Sequence, residues 1–238
     1  MNRALKVLVL SLTLGILFLA QTVWAAALAT GPEAALKKAF PEITVDSMQK
    51  IDVPGWYEVV TGQNVLYFYP EKDYLFVGEI YGKDRQSLTA ARKRQLSAKL
   101  VKTLPLEKGV KIGSGKNIII EFTDPDCPYC RKASEFLSKQ RDVTRYVFFA
   151  PLAHPAAIGK IHHILNARDK AHAYEEMMRG ATPPQGENFP ESVKSLAQEH
   201  LALARKVGVQ GTPTFFVNGT EVVGADEKRI EALLTAGK

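Results

Sequence analysis

Residues 117–130 read Asn117-Ile118-Ile119-Ile120-Glu121-Phe122-Thr123-Asp124-Pro125-Asp126-Cys127-Pro128-Tyr129-Cys130. Three consecutive isoleucines in Asn117–Phe122 have the composition of a buried strand. Asp124-Pro125-Asp126 is polar and turn-like. A helix is predicted from Cys127 to Lys139, with Pro128 in its first turn, where a missing N–H costs nothing. A Cys-x-x-Cys that leaves a buried strand and opens a helix is far more specific than the four residues alone.

The placement carries chemistry. Unpaired N–H groups and the helix dipole favour an anion at a helix N-terminus. They are expected to lower the pKa of Cys127 and to favour its thiolate, the attacking species in disulfide exchange. Cys130 lies one turn inward, placed to resolve a mixed disulfide. Three other readings stand beside this one. A zinc site needs two more ligands; His154, His162, His163, His172 and His200 exist, but these are the chain's only two cysteines. Covalent haem needs His after the second Cys, where Arg131 stands. An inert core pair sits poorly beside a polar turn. A bond across two intervening residues would add little stability as a staple.

Downstream the pattern is α/β. Val143–Phe149 reads as a second strand, and Ile158–Arg179 and Ser192–Val207 as helical, joined by the Pro- and Gly-containing 181–190. Thr214–Val217 and Glu221–Val223 form a hairpin turning at Asn218-Gly219, and Asp226–Thr235 closes the chain as a helix. Thr212-Pro213 stands directly before a strand, where Pro cannot donate to a ladder. A cis proline resolves the conflict; an ordinary trans turn is the alternative. His162 and His163 are expected at the surface, and His154, between Ala153 and Pro155 after a strand, is expected near the cleft without an assigned role.

Upstream, Ser87–Thr103 is rich in helix formers with a thin apolar face of Leu88, Leu96 and Leu100. It reads as a linker helix about 25 Å long, the alternative being a surface helix of one continuous domain. Residues 30–82 read as a small α+β unit: a helix at Gly31–Phe40, then strands at Ile43–Ile51, Trp56–Thr61, Val65–Tyr69 and Leu75–Tyr81. A unit this small is marginal alone, and a dimer through a strand edge or apolar face would complete it. Arg3 and Lys6, the apolar run Val7–Ala20 and small residues around 25–29 read as a secretory signal peptide. The expected organisation is a signal peptide over 1–26, a dimerisation domain over 27–84, a linker helix over 85–108 and a catalytic domain over 109–238.

Of the 238 residues, 46% are apolar and 24% charged, which is globular and excludes a disordered or many-span membrane class. The net charge is +6, two units of which lie in the signal segment. Basic and acidic residues alternate elsewhere, so nucleic acid is not an expected partner.

Glu121–Cys130, with Gly211-Thr212-Pro213 some eighty residues on, resembles the thioredoxin superfamily. More narrowly, the whole chain after the signal segment is similar to the periplasmic disulfide isomerases of the DsbC and DsbG type, with Val53-Pro54-Gly55 and Val65-Leu66-Tyr67 in the small domain. The resemblance implies an α+β fold: a thioredoxin-like catalytic domain with a helical insertion, preceded by the small dimerisation domain and linker helix. It implies that Pro213 is cis beside the sulfurs, that Thr212 offers backbone groups to substrate, and that Pro128 and Tyr129 form the active-site loop. It also implies a V-shaped homodimer with active sites facing a shared cleft, a redox-active Cys127–Cys130 disulfide in place of any cofactor, misdisulfided exported proteins as clients, and a membrane thiol reductant of the DsbD type. Two departures stand out. Glu121 occupies a position where this type usually has an apolar residue; a buried carboxyl there could accept the Cys130 proton, or it is a strand-end Glu with no role. The extra structural cysteine pair of some DsbC proteins is missing. An oxidase, a holdase with incidental thiols and a reductase of sulfenylated cysteines are the rival readings.

Overall fold

The computed structural model describes residues 31–186 and 188–236. The expected signal peptide lies outside the described residues. The chain divides into two units, Met1–Ile80 and Tyr81–Lys238, each described by itself. Among the described residues no helix is long and apolar enough to cross a membrane.

In the first unit, helix α1 (Pro32–Ala39) covers a four-stranded antiparallel meander: β1 (Ser47–Lys50), β2 (Tyr57–Thr61), β3 (Asn64–Tyr69) and β4 (Tyr74–Phe76). Leu36 packs on Val59, Leu66 and Phe68, with Phe40, Ile43, Val45 and Met48 around them. Two expected strands shrink. Ile43–Ile51 pairs only over Ser47–Lys50, because Ile43 and Val45 face the core from an approach loop whose Asp46 carboxylate accepts the Gly62 N–H at 2.6 Å. Leu75–Tyr81 stops at Phe76: Gly78 follows, and Gly82–Gln86 turns back on itself. Tyr74 (62%) and Val77 (72%) are left exposed at this sheet edge.

The second unit begins with α2 (Leu88–Val101), capped by Ser87 Oγ accepting the Ala90 N–H at 2.9 Å. Of the leucine stripe, Leu100 packs on the core, but the fully buried positions are other residues. Leu88 is exposed; Thr89, Ser97 and Val101 are buried. These small side chains let it lie along α6 (Glu191–Val207), where Ser97 Oγ donates to Val207 O at 2.7 Å. The stretch expected as a linker helix packs along α6 within the second unit.

The sheet of this unit has the order β5-β7-β6-β8-β9. Its strands are β5 (Val110–Gly113), β6 (Asn117–Thr123), β7 (Val143–Phe149), β8 (Thr214–Val217) and β9 (Thr220–Val223). Central β6 runs parallel to β7 and antiparallel to β8. Edge strand β5 had no periodic signal in the sequence. Gly115 joins it to β6; a Cβ there would lie 1.8 Å from the Asp142 carbonyl carbon. Asn218 and Gly219 both take positive φ, as the predicted hairpin turn requires. Helix α3 (Pro128–Ser138) follows β6, and α7 (Glu227–Ala236) ends the unit.

The helix expected over Ile158–Arg179 is two helices, α4 (Ile158–Asn166) and α5 (Lys170–Met178). Asp169 breaks it: its carboxylate caps α5 by accepting the His172 N–H at 3.0 Å, an arrangement that competes with helix interior. The two helices fold back so that Ile161, Ile164, Tyr174 and Met177 cover the face of the sheet that carries both cysteines.

Fully buried His200 on α6 ties this layer together. Its Nδ1 accepts the Phe149 N–H at 3.2 Å, and its Nε2 lies 2.9 Å from Lys108 O. A neutral ring protonated on Nε2 satisfies both. Burial pushes its pKa down from 6.5 to about 4, against the opposing pull of the Lys108 carbonyl. The folded value lies below the unfolded one, so its stabilisation is complete above pH 6.5 and is lost as pH falls toward 4. Linkage sets the loss at roughly 3 kcal/mol. Urea titrations at pH 7 and pH 4 should show this loss in the parent and a much smaller one in His200→Gln, whose amide can both donate and accept. Equal losses in the two proteins would assign the acid sensitivity to another group.

Candidate active site

Strand β6 delivers the chain to Asp124, whose O accepts the Cys127 N–H at 3.1 Å. This tight turn sets Cys127 at the N-cap of α3, and its own O accepts the first helical N–H, from Arg131, at 3.1 Å. An N-cap position normally carries an oxygen that accepts the first-turn N–H groups. Here a sulfur takes that place, in front of the unpaired N–H groups of Tyr129 and Cys130.

The two sulfurs are free thiols in unequal surroundings. Cys127 is 6% exposed and Cys130 0%. Cys127 Sγ donates to Thr212 O at 3.5 Å, and the following peptide, Thr212-Pro213, is cis. The Thr214 hydroxyl closes that loop on Gly211 O at 2.7 Å. Burial pushes the Cys130 thiol well above the usual range. The neighbouring Thr123 side chain and Asp124 backbone oppose this. Thr123 Oγ1 is itself buried with no hydrogen-bond partner. Tyr129, 67% exposed, projects from the loop.

A polar network surrounds the turn. The Asp124 carboxylate is fully buried; Oδ1 accepts the Asp126 N–H at 2.9 Å and Oδ2 lies 2.8 Å from His154 Nδ1. The His154 ring is 39% exposed, so this carboxylate has a path to solvent. Asp126 accepts from Arg131 at 3.1 Å and from Lys160 at 2.7 Å, and Arg131 Nε donates to Pro125 O at 2.7 Å. The turn before Cys127 is therefore held on three sides.

Glu121 is fully buried, as expected, but it is not a solitary acid. Arg145 donates to Oε2 from Nη2 at 2.7 Å and from Nε at 3.1 Å. The Tyr174 hydroxyl donates to Oε1 at 2.8 Å. The carboxyl expected as a possible acceptor of the Cys130 proton thus has both oxygens hydrogen-bonded.

The structure thus brings Cys127, Cys130, Pro128, Tyr129, Thr212 and Pro213 together. Sequence reasoning passed over Asp124 as a turn residue; it set His154 near the cleft but gave it no role, and the structure pairs the two. Arg145 and Tyr174 carried none, because Arg145 interrupts an apolar strand and Tyr174 sits on a helix of weak amphipathicity. His162, placed at the surface from sequence, is half-buried against the Phe189 ring. Among the described residues no group of three or more His, Cys, Asp or Glu is set to hold a metal ion.

A sulfur pair at the tip of a helix, beside the central strand of a mixed sheet and faced by a cis proline, defines the thioredoxin-fold class. Residues 107–238 match the family model of the thioredoxin-like domain, more than half the chain, and the chain belongs to that family. Residues 24–90 match the N-terminal domain of disulfide bond isomerase proteins. A probable thiol:disulfide interchange protein DsbC from Bordetella pertussis is 32% identical over 176 residues, covering 72% of this chain and 61% of that protein. The chain therefore spans about three fifths of the length of the first curated relatives it matches. The Escherichia coli thiol:disulfide interchange protein DsbC is 28% identical over 204 residues, covering 82% of this chain and 84% of that one. A crystal structure of a disulfide interchange protein from Neisseria gonorrhoeae superposes with a TM-score of 0.50 at 30% identity, over 56% of this chain and 97% of that one.

The unequal burial of the sulfurs has a direct readout. In the reduced protein a small alkylating agent should modify Cys127 at least ~10-fold faster than Cys130, since reactivity follows exposure and thiolate character. Peptide mapping after brief treatment at neutral pH checks this. Comparable labelling of the two would remove the asymmetry on which an ordered mechanism depends.

Proposed function

We propose that this protein is a periplasmic thiol–disulfide interchange enzyme that corrects wrong disulfides in exported proteins. Cys127 is the nucleophile. Its thiolate attacks a substrate S–S bond, forms a mixed disulfide and expels a substrate thiolate. Attack by another substrate thiolate on the substrate sulfur then creates a new disulfide and returns Cys127, with no net change in redox state. Attack by Cys130 on Cys127 instead releases substrate reduced and leaves Cys127–Cys130 oxidised, which requires an external thiol reductant at the membrane.

The observation that carries the reading is the placement of the Cys127 sulfur at the helix tip, bonded to Thr212 O beside cis Pro213. Thr212 presents its backbone where an extended substrate strand would run. Pro128 and Tyr129 shape the loop, and exposed Tyr129 gives an unfolded segment an apolar contact. The isomerase sense, the homodimer through the first unit and the dependence on a membrane reductant are supported by the N-terminal match and by the names of the relatives.

Refolding of a scrambled multi-disulfide substrate tests the reading. Cys127→Ala should lose activity at least ~100-fold, as removal of a covalent nucleophile does. Cys130→Ala should keep a measurable part, because isomerisation needs only the first sulfur. Trapping the redox state in cells decides direction: a predominantly reduced pair is expected, and a predominantly oxidised one would make the protein an oxidase instead.

A further inference from the structure

Glu121 lies on the same face of β6 as Thr123, one side-chain repeat away, about 7 Å along the strand. The Thr123 side chain neighbours the Cys130 sulfur. A free carboxylate at 121 would thus stand on the same face as the thiol that must lose a proton before it can resolve a mixed disulfide, one side-chain repeat from the residue beside that thiol. In this protein it is not free. Arg145 from β7 and Tyr174 from α5 occupy both oxygens. The Tyr174 hydroxyl is also bonded to Ser134, one helical turn beyond Cys130 on α3. β8 presents Phe215 opposite Glu121 in the sheet register. No charged neighbour other than Arg145 competes for the carboxylate among these partners, and all four polar groups are buried.

We propose that Arg145 and Tyr174 are positioning residues that lock the Glu121 carboxylate and so withhold a proton acceptor from Cys130. The lock sets how a mixed disulfide is partitioned. The proton of Cys130 must then leave to solvent base, so attack by Cys130 on Cys127 is slow at neutral pH. The Cys127–substrate bond lives long enough for a substrate thiolate to attack it. When resolution does occur, the Cys130 proton goes to hydroxide or water, the Cys130–Cys127 bond forms, and the substrate leaves as thiolate. Slow resolution favours isomerisation over reduction. This rests on the thiol–disulfide reading of the two cysteines.

Reaction of the full reduced protein with 5,5′-dithiobis(2-nitrobenzoate) under stopped flow separates the steps. A first equivalent of nitrothiobenzoate reports attack by Cys127; a second reports resolution by Cys130. Absence of two phases in the parent would mean that the thiol–disulfide reading itself has failed, independently of the lock. With two phases present, Glu121→Gln should keep at least a third of the parental second-phase rate at pH 7, because Glu121 is not the base. Freeing the carboxylate in Arg145→Met should accelerate that phase tenfold or more at pH 7 and flatten its rise with pH, while Arg145→Lys stays near the parent. Tyr174→Phe, which keeps the ion pair, should accelerate it severalfold and serves if Arg145→Met does not fold. The first phase should be unchanged throughout. A Glu121→Gln rate below a third of the parent, or no acceleration in any folded lock variant, would overturn the proposal.

Discussion

A helix cap position filled by sulfur is the arrangement from which the rest of the site follows. An oxygen there would accept the first-turn N–H groups and be finished. Sulfur as a neutral thiol is a poor acceptor, so those N–H groups are left waiting for an anion. Asp124 O, by accepting the Cys127 N–H, brings the sulfur to this point, and the Thr212 carbonyl meets it from the opposite side at 3.5 Å. The same helix that holds Cys127 at its tip carries Cys130 into the core one turn on. One backbone feature thus creates two buried thiols with unequal access to water.

Strand β6 supplies both the core and the site because its side chains alternate. Ile120 and Phe122 face one layer, packed on Phe148, Phe216 and Val207. Ile119, Glu121 and Thr123 point to the other, where the insertion helices close over Cys130 and Tyr174. A charged residue can stand on that second face only if it finds a partner. Glu121 finds Arg145 and Tyr174; the Thr123 hydroxyl, neutral and next to Cys130, goes without one. The insertion therefore does more than extend the domain: without α5 there is no Tyr174, and the Glu121–Arg145 pair would lose the cover that keeps water out.

The strand–turn–helix containing the cysteines was legible because each piece had its own local signal: three isoleucines, an Asp-Pro-Asp turn, and Pro128 in a helical first turn. The Asn218-Gly219 hairpin was legible for the same reason. Elements whose reason is tertiary were not. β5 forms because β7 offers an edge, not because Val110–Gly113 alternates over any useful length. The α4–α5 break turns on Asp169, which is equally at home on an exposed helix face until its carboxylate is seen capping His172. Helix α2 hid part of its buried face because small residues, Thr89 and Ser97, are buried there beside Leu100 and Val101. In the site, the cysteines and Pro213 were legible as motifs. The Glu121 partners were not, since they come from 24 and 53 residues further along the chain.

Two buried carboxylates flank the sulfur pair, and they differ in their connection to water. Glu121 is sealed: its partners are an arginine, which cannot give up its proton at any physiological pH, and a tyrosine whose hydroxyl burial holds in the protonated form. Asp124 is vented: one oxygen meets a histidine whose ring is partly open to solvent. A buried ion pair such as Glu121–Arg145 is weak evidence for stability, because desolvation offsets most of its attraction. Replacing it with apolar side chains of the same volume would be close to neutral for folding. What the pair supplies that an apolar substitute also supplies is the absence of a base beside Cys130. What only the pair supplies is a site where a single change, at Arg145 or Tyr174, can release one.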